Sequence, residues 1–222
     1  MKPFIVLNLK TYAESTGERA VELCRVAREV SKETDVRIVV CPQAVDMRAC
    51  AETGAEVFSQ GADAFEPGAH TGSLLPFAVR DSGAKGIMIN HAERKVSEVQ
   101  IKEVIEIARK IGMEILVCAA NDRELEMAAK LKPDYIAIEP PELIGGGISV
   151  STAKPQIVSG AVKKVSGIDA KILVLCGAGV SNALDVKKAI ELGANGVLLA
   201  SAYAKSKEPR ELLLGMAKAV YE

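Results

Sequence analysis

Eight short apolar runs punctuate the chain, at residues 3–9, 36–41, 56–60, 86–90, 114–119, 135–138, 172–176 and 196–200. Within them the core positions are apolar in succession rather than alternating with polar ones, as expected of strands buried on both faces. Amphipathic stretches lie between. Residues 16–32 place Ala20, Leu23, Val26, Ala27 and Val30 at helical spacing, and residues 97–110 do the same with Val99, Ile101, Val104, Ile105 and Ala108. Further helices are predicted over 121–131, 152–165, 182–192 and 209–221. Asn121, Thr152 and Asn182 are good N-cap types, and Gly112 and Gly193 are good helix stops. The pattern is weakest over 42–82, where the third strand is short and 62–73 reads as an extended loop.

Strand and helix in alternation argue for a parallel sheet. Eight units in 222 residues leave about 28 residues for each, near the minimum for a strand–helix–strand step. That favours one closed (β/α)₈ barrel over residues 1–222, compact for the fold, rather than an open doubly wound sheet. No Pro/Ser-rich linker or charge block marks a second domain. In such a barrel the C-terminal tips of the strands converge on one face, where active sites sit.

Composition narrows the function classes. Hydrophobic residues make up 49% of the chain and charged residues 26%, with a net charge of −1, so nothing marks a nucleic-acid or anionic-membrane partner. No apolar run is long enough to span a bilayer. The run at 4–7 breaks at Asn8 and Lys10, too early for a signal peptide, so a cytosolic location is expected. Cys24, Cys41, Cys50, Cys118 and Cys176 are odd in number with no Cys-x-x-Cys, so buried reduced thiols are expected. His70 and His91 are the only histidines, which argues against a His-rich metal site.

The polar residues at the predicted tips carry the chemistry. The run Ile136-Ala137-Ile138 delivers Glu139, then Pro140-Pro141 and, farther on, Gly145-Gly146-Gly147. A carboxylate under a segment stiffened at one end and free at the other suits a base that works away from water. An ordinary strand-end Glu before a Pro/Gly turn is the bland alternative. Strand one ends Asn8-Leu9-Lys10. By strand alternation Asn8 and Lys10 share a side, which in a barrel is the interior, where a lysine is costly unless it meets an anion. A solvated Lys10 at a loop start is the alternative. His91 follows the fourth run and is expected near a helix start, where the dipole disfavours imidazolium; a structural histidine is again the alternative. Cys176-Gly177-Ala178-Gly179-Val180-Ser181 after strand seven and Ala200-Ser201-Ala202 after strand eight fit the phosphate site common in these barrels. No Gly-x-x-x-x-Gly-Lys-Ser/Thr is present, so a nucleotide P-loop is not indicated.

Taken in order, Asn8-Leu9-Lys10, Asn90-His91-Ala92-Glu93-Arg94, Glu139-Pro140 and Ile144-Gly145-Gly146-Gly147 resemble the triosephosphate isomerases along the whole chain, and the short length resembles their compact archaeal type. The resemblance implies a TIM barrel that interconverts D-glyceraldehyde 3-phosphate and dihydroxyacetone phosphate without a cofactor or metal. It implies Glu139 as the base, His91 as the neutral electrophile, Lys10 as a positive charge with Asn8 beside it, and Glu93 as a helix-start carboxylate pairing with the lysine. It further implies residues 140–147 as a lid, a phosphate held by backbone near Ile144, Gly145, Gly179, Ala200 and Ser201, and a homotetramer with an interface at 66–73. The sequence departs from the common pattern at Ala92, where a serine usually follows the histidine, at Pro141-Glu142-Leu143, where a Trp-bearing run is usual, and at Ala200-Ser201, where a Gly pair is usual. Two other readings stand beside it: a barrel enzyme forming a Schiff base on Lys10, and a barrel that only binds a sugar phosphate.

Overall fold

The computed structural model describes residues 4–140 and 149–221. Every apolar run forms a strand: β1 (Phe4–Asn8), β2 (Arg37–Cys41), β3 (Glu56–Ser59), β4 (Gly86–Ile89), β5 (Glu114–Ala119), β6 (Tyr135–Ile138), β7 (Leu173–Cys176) and β8 (Gly196–Leu199). Each pairs in parallel with the next, and β8 returns to β1, closing a barrel in sequence order. The registers run Ile5 against Ile38 on one side of β1 and Ile5 against Val197 on the other.

Two cores explain why the strands lack polar positions. Phe4, Val6, Val39, Phe58, Met88, Leu116, Ala137, Leu175 and Leu198 fill the barrel interior. The alternate residues, such as Ile5, Ile38, Val57, Ile87, Ile115 and Val174, pack outward beneath the helices. Interior space is tight: a Cβ on Gly86 would lie 2.6 Å from the Phe58 ring. The first residues of five strands close the floor. The Arg37 guanidinium pairs with Glu56 and with Glu114 (2.5 Å), donates to the Tyr135 hydroxyl, and lies 4.9 Å from the Phe4 ring centroid. That cluster seals the end opposite the strand tips.

The helices are α1 (Glu18–Thr34), α2 (Met47–Glu52), α3 (Pro76–Asp81), α4 (Glu98–Lys110), α5 (Asp122–Lys130), α6 (Val150–Ala153), α7 (Pro155–Ile168), α8 (Ala183–Glu191), α9 (Ser201–Ala204) and α10 (Pro209–Ala219). Asn121 and Asn182 cap α5 and α8 through their side chains, and Ser97 with Gln100 forms a capping box on α4. Gly112 and Gly193 take positive φ after α4 and α8, as helix stops should. One expectation needs correction. The helix foreseen over 152–165 is broken at Lys154, because Pro155 cannot continue the hydrogen-bonded turn; Thr152 lies inside α6, and Ser149 caps it. The weak region 42–82 holds α2 and α3, each of six residues and too short to show a period, while 62–73 is the extended loop foreseen. All five cysteines are buried and free. Among the described residues no helix is long and apolar enough to cross a membrane, and no group of three or more His, Cys, Asp and Glu could hold a metal ion.

Candidate active site

Lys10 reaches the site by a route that strand alternation does not describe. The strand ends at Asn8, whose buried Oδ1 accepts the Lys10 backbone N–H at 3.0 Å. Lys10 itself is turned into the left-handed region at φ +49°, a conformation that costs about a kilocalorie for a residue with a Cβ. Gln60 holds the turn by donating from Nε2 to the carbonyls of Lys10 (2.9 Å) and Cys41 (2.8 Å). The ammonium then sits 2.8 Å from Glu93 Oε1. Lys10 is therefore a clamped turn residue, and the pairing with Glu93 is as the resemblance implied.

His91 follows another left-handed residue, Asn90 at φ +63°, and is itself buried. The Glu93 N–H donates to His91 Nδ1 at 3.2 Å. An accepting Nδ1 leaves the ring proton on Nε2, which faces Glu139 Oε1 at 3.7 Å. Burial pushes the His91 pKa down to about 4, with Lys10 and Lys95 acting the same way and Glu93 opposing. The expected cause was different. The helix after β4 begins only at Glu98, so neither His91 nor Glu93 lies at a helix start and the dipole is not what keeps the ring neutral; desolvation and two lysines are.

Glu139 stands immediately after β6, its N–H bonded to the Ala119 carbonyl at 2.8 Å. It is only 2% exposed, and its Oε2 has no hydrogen-bond partner among the described residues. Burial raises its pKa to about 7, against the Cys118 thiol, Lys10 and Lys95, which favour the carboxylate. With His91 neutral and Glu139 titrating near neutrality, the 3.7 Å contact is a gap between a donor and a base rather than an ion pair. The space for Glu139 comes from Gly177, where a Cβ would fall 2.6 Å from Glu139 Cγ. Gly177 was foreseen as part of a phosphate loop, but its missing side chain is what admits the Glu139 side chain.

Lys10, His91 and Glu139 line one cavity of about 240 Å³ together with Tyr12, Gly177, Gly179, Val180, Ala200, Ser201 and Ala202. Gly179 takes φ +71°, and the turn is held from behind by Asp185, which accepts from the Ser181 N–H and hydroxyl, and by the Val150 N–H on the Ala178 carbonyl. Ser201 and Ala202 open α9, so their N–H groups have no partner within the helix. Asn8 and Glu93 face an adjoining cavity of about 450 Å³ on the other side of Lys10. Of the residues anticipated, Lys10, His91, Glu139, Gly179, Ala200 and Ser201 meet in one cavity, with Asn8 and Glu93 supporting Lys10 from its neighbour. Residues 141–148, and with them Ile144, Gly145 and the lid reading, lie outside the described residues.

Sequence reasoning missed Tyr12, Gln60, Cys118, Lys95 and Glu124. Tyr12, two residues past Lys10, and Lys95, four past His91 in the same loop, offered a local signal; Gln60, Cys118 and Glu124 reach the site across strand tips. The assembled groups suit abstraction of a proton next to a carbonyl, with a desolvated base, a neutral donor and a cation around developing negative charge, and a patch of free N–H groups for an anion. A family model described as triosephosphate isomerase matches residues 3–219. The chain is 46% identical over 215 residues to the triosephosphate isomerase of Methanocaldococcus jannaschii, covering 96% of this chain and 98% of that one. It is 43% identical over 219 residues to that of Methanothermobacter thermautotrophicus (98% and 96%) and 45% over 215 residues to that of Methanobacterium bryantii (96% and 95%).

Proposed function

Because the chain belongs to the triosephosphate isomerase family, and is an isomerase of that class, we propose that Glu139 is the base, His91 the electrophile and Lys10 the electrostatic stabiliser in interconverting D-glyceraldehyde 3-phosphate and dihydroxyacetone phosphate. A glutamate base beside a histidine kept neutral is the pairing known for this family, and Glu139 and His91 fit it. Glu139 takes a proton from the carbon beside the carbonyl. Negative charge then builds on oxygen, where His91 Nε2–H and the Lys10 ammonium stabilise it. Glu139 returns the proton to the neighbouring carbon. Asn8 and Glu93 hold Lys10 in place. The backbone of Gly179, Ala200 and Ser201 takes the phosphate.

The observation that carries this reading is the buried, unpartnered Oε2 of Glu139 beside the donor nitrogen of His91. A buried carboxylate oxygen left without a partner is costly, and a substrate C–H is what it would face when the site is filled. The test is isomerase activity of the purified protein beside Glu139→Asp, which retracts the carboxylate by one methylene. We expect kcat to fall by about 10²-fold or more with KM little changed. An unchanged kcat would remove Glu139 from the role. The Schiff-base alternative fits poorly, since Lys10 is held in an ion pair as a fixed cation rather than presented as an amine nucleophile.

The same reading includes a homotetramer and a cytoplasmic location. The exposed aromatic ring of Phe65, in the 62–73 loop expected at the interface, supports self-association, because contact with a second copy would cover it. Sedimentation at micromolar concentration should then give four times the mass of one chain, and a monomer would refute the tetramer.

A further inference from the structure

Asn90 is a buried residue with a Cβ held at φ +63°, and that turn sets the direction of His91. A strained turn persists only where its surroundings over-determine it. Here they do. Asn90 Nδ2 donates to the Cys118 carbonyl at 2.9 Å, and Asn90 Oδ1 accepts from the Val96 N–H at 3.3 Å. The Asn90 carbonyl accepts from Lys95 Nζ at 3.2 Å. The bonds then converge on one atom, Glu124 Oε2 in the first turn of α5. It accepts from Lys95 Nζ at 2.7 Å, the Ala120 N–H at 2.9 Å and Asn90 Nδ2 at 3.5 Å.

We propose that Lys95 and Glu124 are positioning residues, a clasp that ties the tip of β4 to the tip of β5 and so holds the His91 imidazole facing Glu139. Neither residue lines the cavity that holds Lys10, His91 and Glu139. Both act through others: the clasp bears on His91 through the Asn90 turn, and on the floor beneath Glu139 through the Cys118 segment. As a stability device the pair is weak, since both side chains are partly exposed and such pairs contribute little. Its geometry has more to do with aim. The Lys95 charge also disfavours imidazolium at His91, alongside Lys10 in the turn after β1; Glu93 opposes it from the same loop as Lys95, and Glu139 faces the ring from just past β6.

The inference rests on His91 as the electrophile, and its test separates the two. Isomerase kinetics are compared for the unmodified protein, His91→Gln, Lys95→Met, Glu124→Gln, the Lys95→Met/Glu124→Gln double variant and Lys95→Arg. Misplacing a reacting group by about an ångström costs on the order of 10²-fold. Lys95→Met and Glu124→Gln should therefore each lower kcat by about 10- to 100-fold while KM stays within about threefold, because the phosphate subsite lies on other strands. The double variant should be no worse than the poorer single one, and Lys95→Arg should recover most of the activity. The nitrogen-15 signal of His91 Nε2–H should shift or broaden in Lys95→Met. If Lys95→Met does not fold, the isosteric Glu124→Gln carries the measurement. A kcat within twofold of the unmodified protein in both single variants, with His91→Gln severely impaired, would overturn the clasp and leave His91 in its role. Full activity of His91→Gln would overturn the role itself.

Discussion

Glu139 and His91 should make opposite and nearly cancelling contributions to the pH dependence of folding, and removing either one should expose the other. Burial raises the Glu139 pKa from the ordinary 4.5 to about 7. Between those values the folded chain holds a proton that the unfolded chain releases. Its stabilising effect is complete below pH 4.5 and is lost as pH rises through 7, a total of about 3 kcal/mol at about 1.4 kcal/mol per unit. His91 runs the other way. Burial, with Lys10 and Lys95, lowers its pKa from 6.5 to about 4, so the unfolded chain is protonated first. That stabilisation is complete above pH 6.5 and is lost as pH falls through 4, again about 3 kcal/mol. In His91→Gln only the glutamate slope remains, and stability relative to the unmodified protein should fall by about 3 kcal/mol on going from pH 4.5 to 7. In Glu139→Gln it should rise by a similar amount, leaving that variant the more stable above pH 7, with a melting temperature higher by roughly 5–10 °C for a chain of this size. Urea unfolding at pH 4.5, 5.5, 6.5 and 7.5, at one protein concentration, measures this, and the other carboxylates cancel in the differences. Variant-minus-unmodified differences that do not change with pH over this range would refute desolvation as the source of both shifts.

The same values shape catalysis: kcat/KM should rise with pH along a single limb centred near 7 as Glu139 loses its proton, with no limb from His91 above about pH 4, and initial rates from pH 5 to 9 would show it. Gly177→Ala should lower kcat by about 10²-fold with the fold intact by circular dichroism, because a Cβ there would displace Glu139 Cγ from 2.6 Å away. At the opposite end of the barrel, Arg37→Met would leave Glu56 and Glu114 without their cation; it should cost about 2 kcal/mol by urea unfolding, below the value for a fully buried pair because solvent reaches these groups, and leave kcat unchanged.

The residue pattern alone determined the barrel. A strand buried on both faces must be apolar throughout, so eight such runs announce themselves, and Asn121, Asn182, Gly112 and Gly193 mark helix ends through bonds to their own neighbours. Glu139, His91 and Lys10 were legible because a polar residue at the end of an apolar run has few other places to go. What the chain's order does not carry is contact across the barrel. Lys10 enters the site through a left-handed turn that Gln60 holds from just past β3, and His91 is kept neutral by burial and by lysines from two loops rather than by a helix start. Gly177 matters for the volume it leaves to a side chain on the neighbouring strand, and Glu124 for an oxygen placed among donors from three segments. Local bonds and hydrophobic periodicity repeat within a few residues and can be read along the chain. Desolvation, steric room and converging donors exist only once strands distant in sequence have closed around one space.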